Sequence, residues 1–307
     1  MSLSVIVCTY NRSASLRKVL SCLNRLTLPA GMSCEVIIVD NNSNDDTRST
    51  VEAITRERRG FFKYVFEARQ GKSFALNKGI SVAQGNIIAF TDDDVELDTE
   101  WLVEISRVFE SYDCAAVGGK TIAVWTSPKP YWYEEAGPYR LLSAIVKLDL
   151  GESPCELKIP PPGANVAFRR NIFEKYGLFR EDLGPNSTDL IRGEDAEFCW
   201  RVIHGGEKFI YAPRAIVYHP VERSRTKKEY FQAWYYDQGR ASVRMEGIPE
   251  GTLRYLGVPR YFVRNFFEVL VKWACSFDTR RRFFYKLKLI QIAGQITESR
   301  LRPKSAE

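Results

Sequence analysis

The chain has 307 residues, of which 45% are hydrophobic and 27% charged, and its formal net charge is +6. These values are ordinary for a folded globular enzyme and exclude disordered, collagen-like and disulfide-scaffold chains. The best candidate for a transmembrane helix, residues 261–277, is interrupted by Arg264, Glu268 and Lys272, so no such helix is predicted. No secretory leader is predicted either. The seven cysteines are odd in number and lack metal-ligand spacing, which favours a reducing cytosol.

The positive charge is concentrated near the carboxyl end. Residues 221–307 contain 18 Lys and Arg against 9 Asp and Glu, so the rest of the chain is slightly acidic. A basic, aromatic-rich segment of this kind attracts nucleic acid or an anionic membrane surface. No recognised nucleic-acid motif accompanies it, so nucleic acid is the less favoured partner.

Strand and helix patterns alternate over the first 120 residues. Short β-rich runs predict strands, and apolar residues at helical spacing predict helices. The predicted strands are 3–8, 34–39, 62–66, 86–90 and 115–119, and the predicted helices are 13–25, a segment around 51–54, 73–83 and 101–109. Ser13 is the predicted cap of the first helix. The alternation predicts an α/β fold with a mixed, mainly parallel, Rossmann-like sheet flanked by helices.

The pattern changes after residue 120. Residues 121–162 are rich in aromatics and prolines and are predicted to be irregular. An element over 166–169, a helix over 194–203 and a strand over 209–218 follow. From residue 227 onward, aromatic-rich helices are predicted, with breaks near 247–251 and 257–259. We therefore predict a catalytic α/β domain over residues 1–222 and a helical C-terminal extension over residues 223–307.

Polar clusters follow three of the predicted strands. They are residues 9–11, residues 40–42 and residues 92–94. Ligands of parallel sheets bind beyond the carboxyl ends of the strands, so the three clusters are expected at one edge of the sheet. This edge is the predicted binding site.

Three consecutive carboxylates, Asp92, Asp93 and Asp94, come directly after the apolar run 87–90. Their mutual repulsion calls for a positive partner, and hard divalent cations prefer oxygen ligands. A cation at a strand end typically holds a phosphate-bearing substrate. The alternative interpretation is a solvated turn with helix-capping aspartates.

Two common phosphate-binding motifs are missing from the sequence. Gly71-Lys72-Ser73 and Gly119-Lys120-Thr121 resemble the end of a P-loop, but Phe66 and Cys114 stand where that motif needs its first glycine. No G-x-G-x-x-G follows the first strand, which argues against a dinucleotide site. A nucleotide would therefore be held by side chains and a metal.

Five ordered segments resemble those of the family-2 glycosyltransferases. They are Val5–Arg12, Val39–Ser43, Asp92–Asp94, Gly163–Asn165 and Gly193–Asp195. The resemblance covers about residues 3–220. It implies a GT-A fold, a nucleoside-diphosphate sugar donor (commonly UDP-linked) and a divalent cation, Mn²⁺ or Mg²⁺. It also implies inverting transfer of a hexosyl group to a hydroxyl acceptor, as in synthesis of cell-surface polysaccharide or glycolipid.

The resemblance implies a nucleotide site at the first two strand ends. Thr9 and Tyr10 are expected to line and stack on the base, usually uracil in similar enzymes, and Asp40 to accept a hydrogen bond from it. The remaining candidates for nucleotide contact are Asn11, Arg12, Asn42, Lys72, Asp92 and Asp93. A ring of polar core residues is the alternative interpretation, and Lys72 equally fits a solvated surface charge.

The resemblance also assigns the metal, the base and the sugar contacts. Asp94 and Asp92 are the expected metal ligands, and His219 is either a third ligand or a structural histidine. Asp195, with Glu194 beside it, is the expected general base, although acids also favour a helix start. The donor sugar and acceptor are expected near Gly163, Ala164 and Asn165.

Two rival functions are a sugar-phosphate nucleotidyltransferase and a catalytically inactive nucleotide-sugar-binding scaffold. The first normally needs a glycine-rich loop that residues 9–12 lack, and the intact acids Asp92, Asp94 and Asp195 argue against the second. The acceptor, whether saccharide, lipid-linked or another hydroxyl, is left open. The aromatic extension packs on the catalytic domain or in a homodimer, or lies on an anionic membrane. We expect a cytoplasmic protein. Peripheral contact with the inner face of the membrane is the alternative left open.

Overall fold

A computed structural model describes residues 1–28, 31–58, 60–141, 144–186 and 191–301. The chain divides into two compact units. The first comprises Met1–Val124, Val146–Thr188 and Glu194–Pro220, and the second Trp125–Ile145, Asp189–Gly193 and Val221–Glu307.

The first unit is built on a mixed sheet. Its strands are β1 (Ser2–Thr9), β2 (Ser33–Asp40), β3 (Phe62–Phe66), β4 (Ile87–Thr91), β5 (Glu96–Leu97), β6 (Ala116–Trp125), β7 (Cys155–Leu157), β8 (Val166–Arg169) and β9 (Phe209–Val221). Their order is β3-β2-β1-β4-β8-β6-β9-β5, with β7 also paired to β9. The pairs among β1 to β4 are parallel, and β8 runs antiparallel to both β4 and β6.

Helices cover both faces of this sheet. They are α1 (Ser13–Asn24), α2 (Thr47–Glu57), α3 (Lys72–Val82), α4 (Trp101–Ser111), α5 (Asn171–Tyr176) and α6 (Glu194–His204). Val5 and Val7 of β1 pack with α1, α2 and α4, whereas Ile6 packs in a second apolar cluster with α3, α5 and α6. Burial on both faces explains why the central strands are nearly continuous apolar runs. The predicted α/β fold with a flanked, mixed sheet is confirmed.

Two local predictions were wrong. Residues 121–162 are not irregular throughout, because β6 continues to Trp125 and Cys155–Leu157 forms β7 on the edge of β9. Ser13 does not cap α1. It lies inside the helix, and its backbone N–H donates to the Asp45 carboxylate at 2.9 Å. The cap therefore comes from the loop after β2, a long-range contact with no local sequence signal.

The second unit is mainly helical. It contains α7 (Lys228–Glu246), a short hairpin of β10 (Arg254–Tyr255) and β11 (Val258–Pro259), α8 (Arg260–Ala274) and α9 (Thr279–Leu301). The predicted breaks near 247–251 and 257–259 both fall in the one non-helical stretch between α7 and α8, and the break between α8 and α9 was not predicted. Trp132 packs edge-on against Phe231 and Phe283, so residues 125–145 belong to this unit although they precede residue 222. In the described part of the chain, no helix combines the length and apolar content needed to cross a bilayer.

Candidate active site

The carboxyl ends of β1, β2 and β4 meet at one edge of the sheet. In the strand register Thr9 lies opposite Asp40, and Val7 lies opposite Thr91. The loops that follow turn sharply, because Asn11 and Asn42 have φ values of 51° and 65°. Asparagine tolerates this left-handed backbone better than most residues, and such outliers gather at ligand sites. The expected convergence of the polar clusters is confirmed.

Asp40 lies buried at the end of β2. Its Oδ2 accepts a hydrogen bond from the Tyr64 hydroxyl at 2.8 Å, and its Oδ1 accepts one from the Ser43 backbone N–H at 2.9 Å. These two bonds hold the carboxylate in one orientation and leave it further acceptor positions. Tyr10, the residue directly after β1, is partly exposed and available for stacking. The arrangement suits recognition of a planar base.

The loop after β2 is held by Asn41. Its amide nitrogen donates to the Arg69 carbonyl at 2.7 Å, and its amide oxygen accepts from the Gly71 N–H at 2.8 Å. Gly71 has a φ of 145°, a backbone conformation that favours glycine, and α3 begins at the next residue. Asn41 thus connects the end of β2 to the start of α3, where Lys72 stands.

Three predicted metal ligands converge at the end of β4. Asp92, Asp94 and His219 each offer one ligand atom, and the three atoms lie within 4.8 Å of one another. His219 is buried on β9, and its Nε2 is 3.8 Å from the Asp94 Oδ1. Two carboxylates and an imidazole form a donor set that suits Mn²⁺ and related divalent ions. The donor chemistry therefore fits a divalent cation.

A backbone carbonyl orients His219. The ring Nδ1 lies 3.2 Å from the Pro220 carbonyl oxygen. A carbonyl oxygen only accepts hydrogen bonds, so this contact is a hydrogen bond in the tautomer that carries its proton on Nδ1, with Nε2 on the side of Asp94. Metal-ligating histidines commonly have such a second partner, which fixes their tautomer.

Arg12 lies across the acidic triplet. Its guanidinium is 3.1 Å from the Asp93 Oδ1 and 3.0 Å from the Asp94 Oδ2. Burial raises the pKa of Asp93 to about 6, although Arg12 acts in the opposite direction. Arg12, predicted as a nucleotide contact, thus neutralises two carboxylates and remains half-exposed toward the solvent edge.

Lys72 is the second cation of the site. Its Nζ lies 3.0 Å from the Asp92 Oδ1 and 3.5 Å from the Glu194 Oε1. Burial alone would lower the pKa of Lys72, but Asp92, Glu194 and Asp195 raise it overall. Burial likewise raises the pKa of Glu194, against the effect of Lys72. Lys72 is therefore not a solvated surface charge.

Asp195 is held in the first turn of α6. Its Oδ2 accepts from the Gly163 N–H at 3.0 Å, and its Oδ1 accepts from the Ala196 N–H at 2.8 Å. A Cβ atom on Gly163 would lie 2.6 Å from the Asp195 Oδ2, so only glycine permits this contact. Asp195, Glu194, Gly163, Lys72 and Asp92 line one small cavity above the apolar core.

The side chain of Asn165, one of the three residues expected near the donor sugar and acceptor, is bonded within the protein. It is fully buried, its Nδ2 donates to the carbonyls of Lys120 and Ala215, and its Oδ1 accepts from the Trp101 indole N–H. All of these bonds are 2.8–2.9 Å long. Ala164 is buried as well, so of this predicted trio only Gly163 lines the cavity. Asn165 locks the strands that carry the site.

Several residues of the site escaped sequence reasoning. Tyr64 and Ser43 orient Asp40, and Asp45 caps α1 next to Arg12. Asn77, on α3, exchanges two hydrogen bonds with the backbone of Phe179 and fixes the loop before α6. The clustering of polar residues in 40–47 could have indicated Ser43 and Asp45. Tyr64 and Asn77 have no such signal, because their contacts join segments that are distant in sequence.

The site and the sheet define an α/β enzyme with an acidic edge, and comparisons with known proteins give its family. Residues 4–177, more than half of the chain, match the model of Glycosyl transferase family 2. The chain therefore belongs to this family and is a glycosyltransferase. It is 26% identical, over 75% of its length and 72% of the relative's, to the glucosyl-dolichyl phosphate glucuronosyltransferase of Haloferax volcanii.

Solved structures share the fold. The chain is similar to the mannosyltransferase PcManGT of Pyrobaculum calidifontis in complex with GDP-Man and Mn²⁺, at a TM-score of 0.61 and 18% identity over 98% of this chain and 86% of that one. It is also similar to S. aureus TarS 1–349 in complex with UDP, at a TM-score of 0.56 and 16% identity over 98% and 91%. These likenesses establish a GT-A type fold.

Proposed function

We propose that this glycosyltransferase transfers a sugar from a UDP-linked donor to a hydroxyl acceptor, with a divalent cation and with inversion at the anomeric carbon. The observation that carries the proposal is the convergence of Asp92, Asp94 and His219 beside a cavity that Asp195 also lines. Carboxylates that bind a cation and a carboxylate that accepts a proton are both needed for this reaction.

The cation would be held by Asp92, Asp94 and His219, and it would supply Lewis-acid stabilisation of the leaving diphosphate. Asp92 and Asp94 each already contact a basic side chain, Lys72 and Arg12 respectively. These two basic groups lie next to the proposed metal ligands, beside which the diphosphate would be held. They would therefore add fixed positive charge to the same task.

Asp195 is the proposed general base. The N–H groups of Gly163 and Ala196 hold its two oxygens, which positions the carboxylate while leaving it acceptor capacity. In this role it takes the proton of the acceptor hydroxyl as the oxygen attacks the anomeric carbon and the bond to the diphosphate breaks. A single direct displacement of this kind inverts the anomeric configuration.

The donor base is proposed to be uracil. Asp40 offers acceptor positions at the end of β2, and Tyr10 offers a partly exposed ring directly after β1. The TarS structure holds UDP, and the PcManGT structure holds GDP-Man, so GDP is the competitor to exclude. The H. volcanii relative is named for a sugar-dolichyl phosphate, which favours a lipid-linked saccharide as acceptor and a role in glycolipid or polysaccharide synthesis.

Calorimetric titration tests the cation and the base-binding pocket together. UDP should bind more tightly with Mn²⁺ than with a chelator, and more tightly than GDP under the same conditions. Asp94→Asn should weaken Mn²⁺-dependent UDP binding at least about tenfold, because a metal ligand is lost. Asp113→Asn, an exposed acid in the loop after α4, is the matched control and should bind as the wild type does. Equal UDP affinity in Asp94→Asn and wild type would remove the metal role.

Transfer is tested separately from binding. Asp195→Asn should keep its UDP affinity and lose about a hundredfold to ten-thousandfold in the rate of sugar release from UDP-sugars, because the amide cannot accept the proton. Wild-type turnover in this variant would place the base elsewhere. Release of pyrophosphate from a sugar phosphate and UTP would instead support a nucleotidyltransferase, and UDP binding without any turnover would support an inactive scaffold.

A further inference from the structure

Helix α8 and the residues on either side of it expose apolar side chains that the apolar cluster of this unit does not include. In α8, Phe262, Phe266 and Val269 follow one stripe and pack in the apolar cluster of this unit. Phe267, Val271 and Ala274 follow a second stripe, at i, i+4 and i+7, and all three are exposed. A helix that needed only to pack inward would carry polar residues along this second stripe.

The hairpin before α8 adds a leucine at its tip. Leu256 and Gly257 form its two-residue turn, and both have positive φ, 49° and 79°. Such turns favour asparagine or aspartate at the first position, because a leucine there is strained. Leu256 is nevertheless 94% exposed, as is Phe277 just beyond the other end of α8. The turn thus places a leucine in a strained backbone conformation with its side chain in solvent.

The segment that carries these apolar side chains is also basic. Residues 253–288 contain nine Lys and Arg against two Asp and Glu. Arg260, Arg264 and Lys272 project from α8 itself and are exposed. A helix with apolar residues on one side and basic residues alongside is typical of segments that lie in the interface of an anionic bilayer.

We propose that the segment 253–277 docks on an anionic membrane surface, with Leu256, Phe267, Val271 and Phe277 inserted among the lipid headgroups and acyl chains. A second copy of the chain fits less well, because a two-fold interface would bring this basic segment against itself. The inference goes beyond the proposed function, since it concerns the helical unit and is tested without donor or acceptor.

Vesicle co-sedimentation of the full chain provides the test. The protein should pellet with phosphatidylcholine vesicles that contain phosphatidylglycerol, and much less with phosphatidylcholine alone or at high salt. In the double variant Phe267→Ser with Val271→Ser, the fraction of protein that pellets with anionic vesicles at low lipid concentration should fall about tenfold. Leu150→Ser with Ile159→Ser, two exposed apolar residues of the other unit, is the matched control and should bind as the wild type does.

Leu256→Asn separates a membrane role from a structural one. Asparagine suits the left-handed turn position, so the variant should keep or raise the melting temperature while it binds anionic vesicles more weakly. A lower melting temperature with unchanged vesicle binding would overturn the proposal. The absence of wild-type binding to anionic vesicles would also overturn it. So would light scattering that shows a wild-type dimer and a monomer for the double variant Phe267→Ser with Val271→Ser. UDP titration of each variant should match the wild type, which keeps this result independent of the proposed activity.

Discussion

At the scale of single residues, Lys72 is notable because it contacts two acidic side chains of the site. It stands at the first position of α3, directly after Gly71, and reaches both Asp92 and Glu194. Glu194 is almost entirely buried, and an uncompensated charge there would be costly. Lys72 therefore has two tasks: it stabilises the buried Glu194 beside the proposed base, and it supplies positive charge next to a proposed metal ligand.

Replacing Lys72 tests the first task. Lys72→Met should lower the free energy of unfolding by about 3 kcal/mol, since the variant leaves Glu194 buried without this partner. The double variant Lys72→Met with Glu194→Gln should recover most of that loss, and urea unfolding of the four members of the cycle measures the coupling. Additive losses in the double variant would mean that the pair does not stabilise the fold.

In the absence of a bound metal, Asp93 makes the folding stability of the chain depend on pH. Its folded pKa of about 6 is above the ordinary value of an aspartate, so between about pH 4 and pH 6 the folded state binds more protons than the unfolded state. Stability should therefore fall as the pH rises through this window. The test is thermal unfolding of Asp93→Asn and the wild type in the presence of a chelator. The melting temperature of the variant minus that of the wild type should increase from pH 4 to pH 6. A constant difference would contradict the raised pKa.

At the scale of elements, the site depends on loops that support one another. The backbone of α1 begins at Arg12 and Ser13, yet the acceptor for its first N–H comes from Asp45, beyond β2. The same carboxylate accepts from the Thr47 N–H at 3.0 Å, at the start of α2. One aspartate thus caps two helices and keeps the loops that carry Arg12 and Asn42 next to each other.

The double cap predicts a difference between two adjacent aspartates. Asp45→Ala should destabilise the protein by about 1 kcal/mol or more, because two helix starts lose an acceptor. Asp46→Ala is the matched control, since Asp46 precedes α2 without a capping hydrogen bond from its side chain among the described residues. Thermal unfolding of both variants checks this prediction, and equal melting temperatures would argue against the cap.

At the scale of the whole molecule, the helical unit is built around one close helix contact. A Cβ atom on Gly239 of α7 would lie 1.9 Å from the Gln291 carbonyl, and one on Gly294 of α9 would lie 2.1 Å from the Tyr236 carbonyl. The same helices share a buried ion pair, in which Glu298 accepts from Arg240 at 3.1 Å and from Arg244 at 2.6 Å. Backbone contact of this kind leaves no room for a side chain.

Gly294→Ala should therefore separate the helices of this unit. We expect a loss of about 1–3 kcal/mol in its stability from overpacking against backbone, measured by calorimetry. Lys286→Ala, at an exposed position of α9, is the control and should melt as the wild type does. Because the residues of the proposed nucleotide site belong to the other unit, UDP titration below the melting transition should give wild-type affinity in both variants. A wild-type melting curve for Gly294→Ala would show that the helices can move apart at little cost.

The sequence alone determined the α/β class, most strand and helix bounds to within a few residues, and the set of acids at the strand ends. These features are local, because buried parallel strands are apolar runs that end in polar residues. The tertiary structure decided what surrounds them. The Asp45 cap, the Tyr64 bond to Asp40, the burial of Asn165 and the Lys72 pair with Glu194 each join segments far apart in sequence, and such pairings depend on packing that no local pattern encodes.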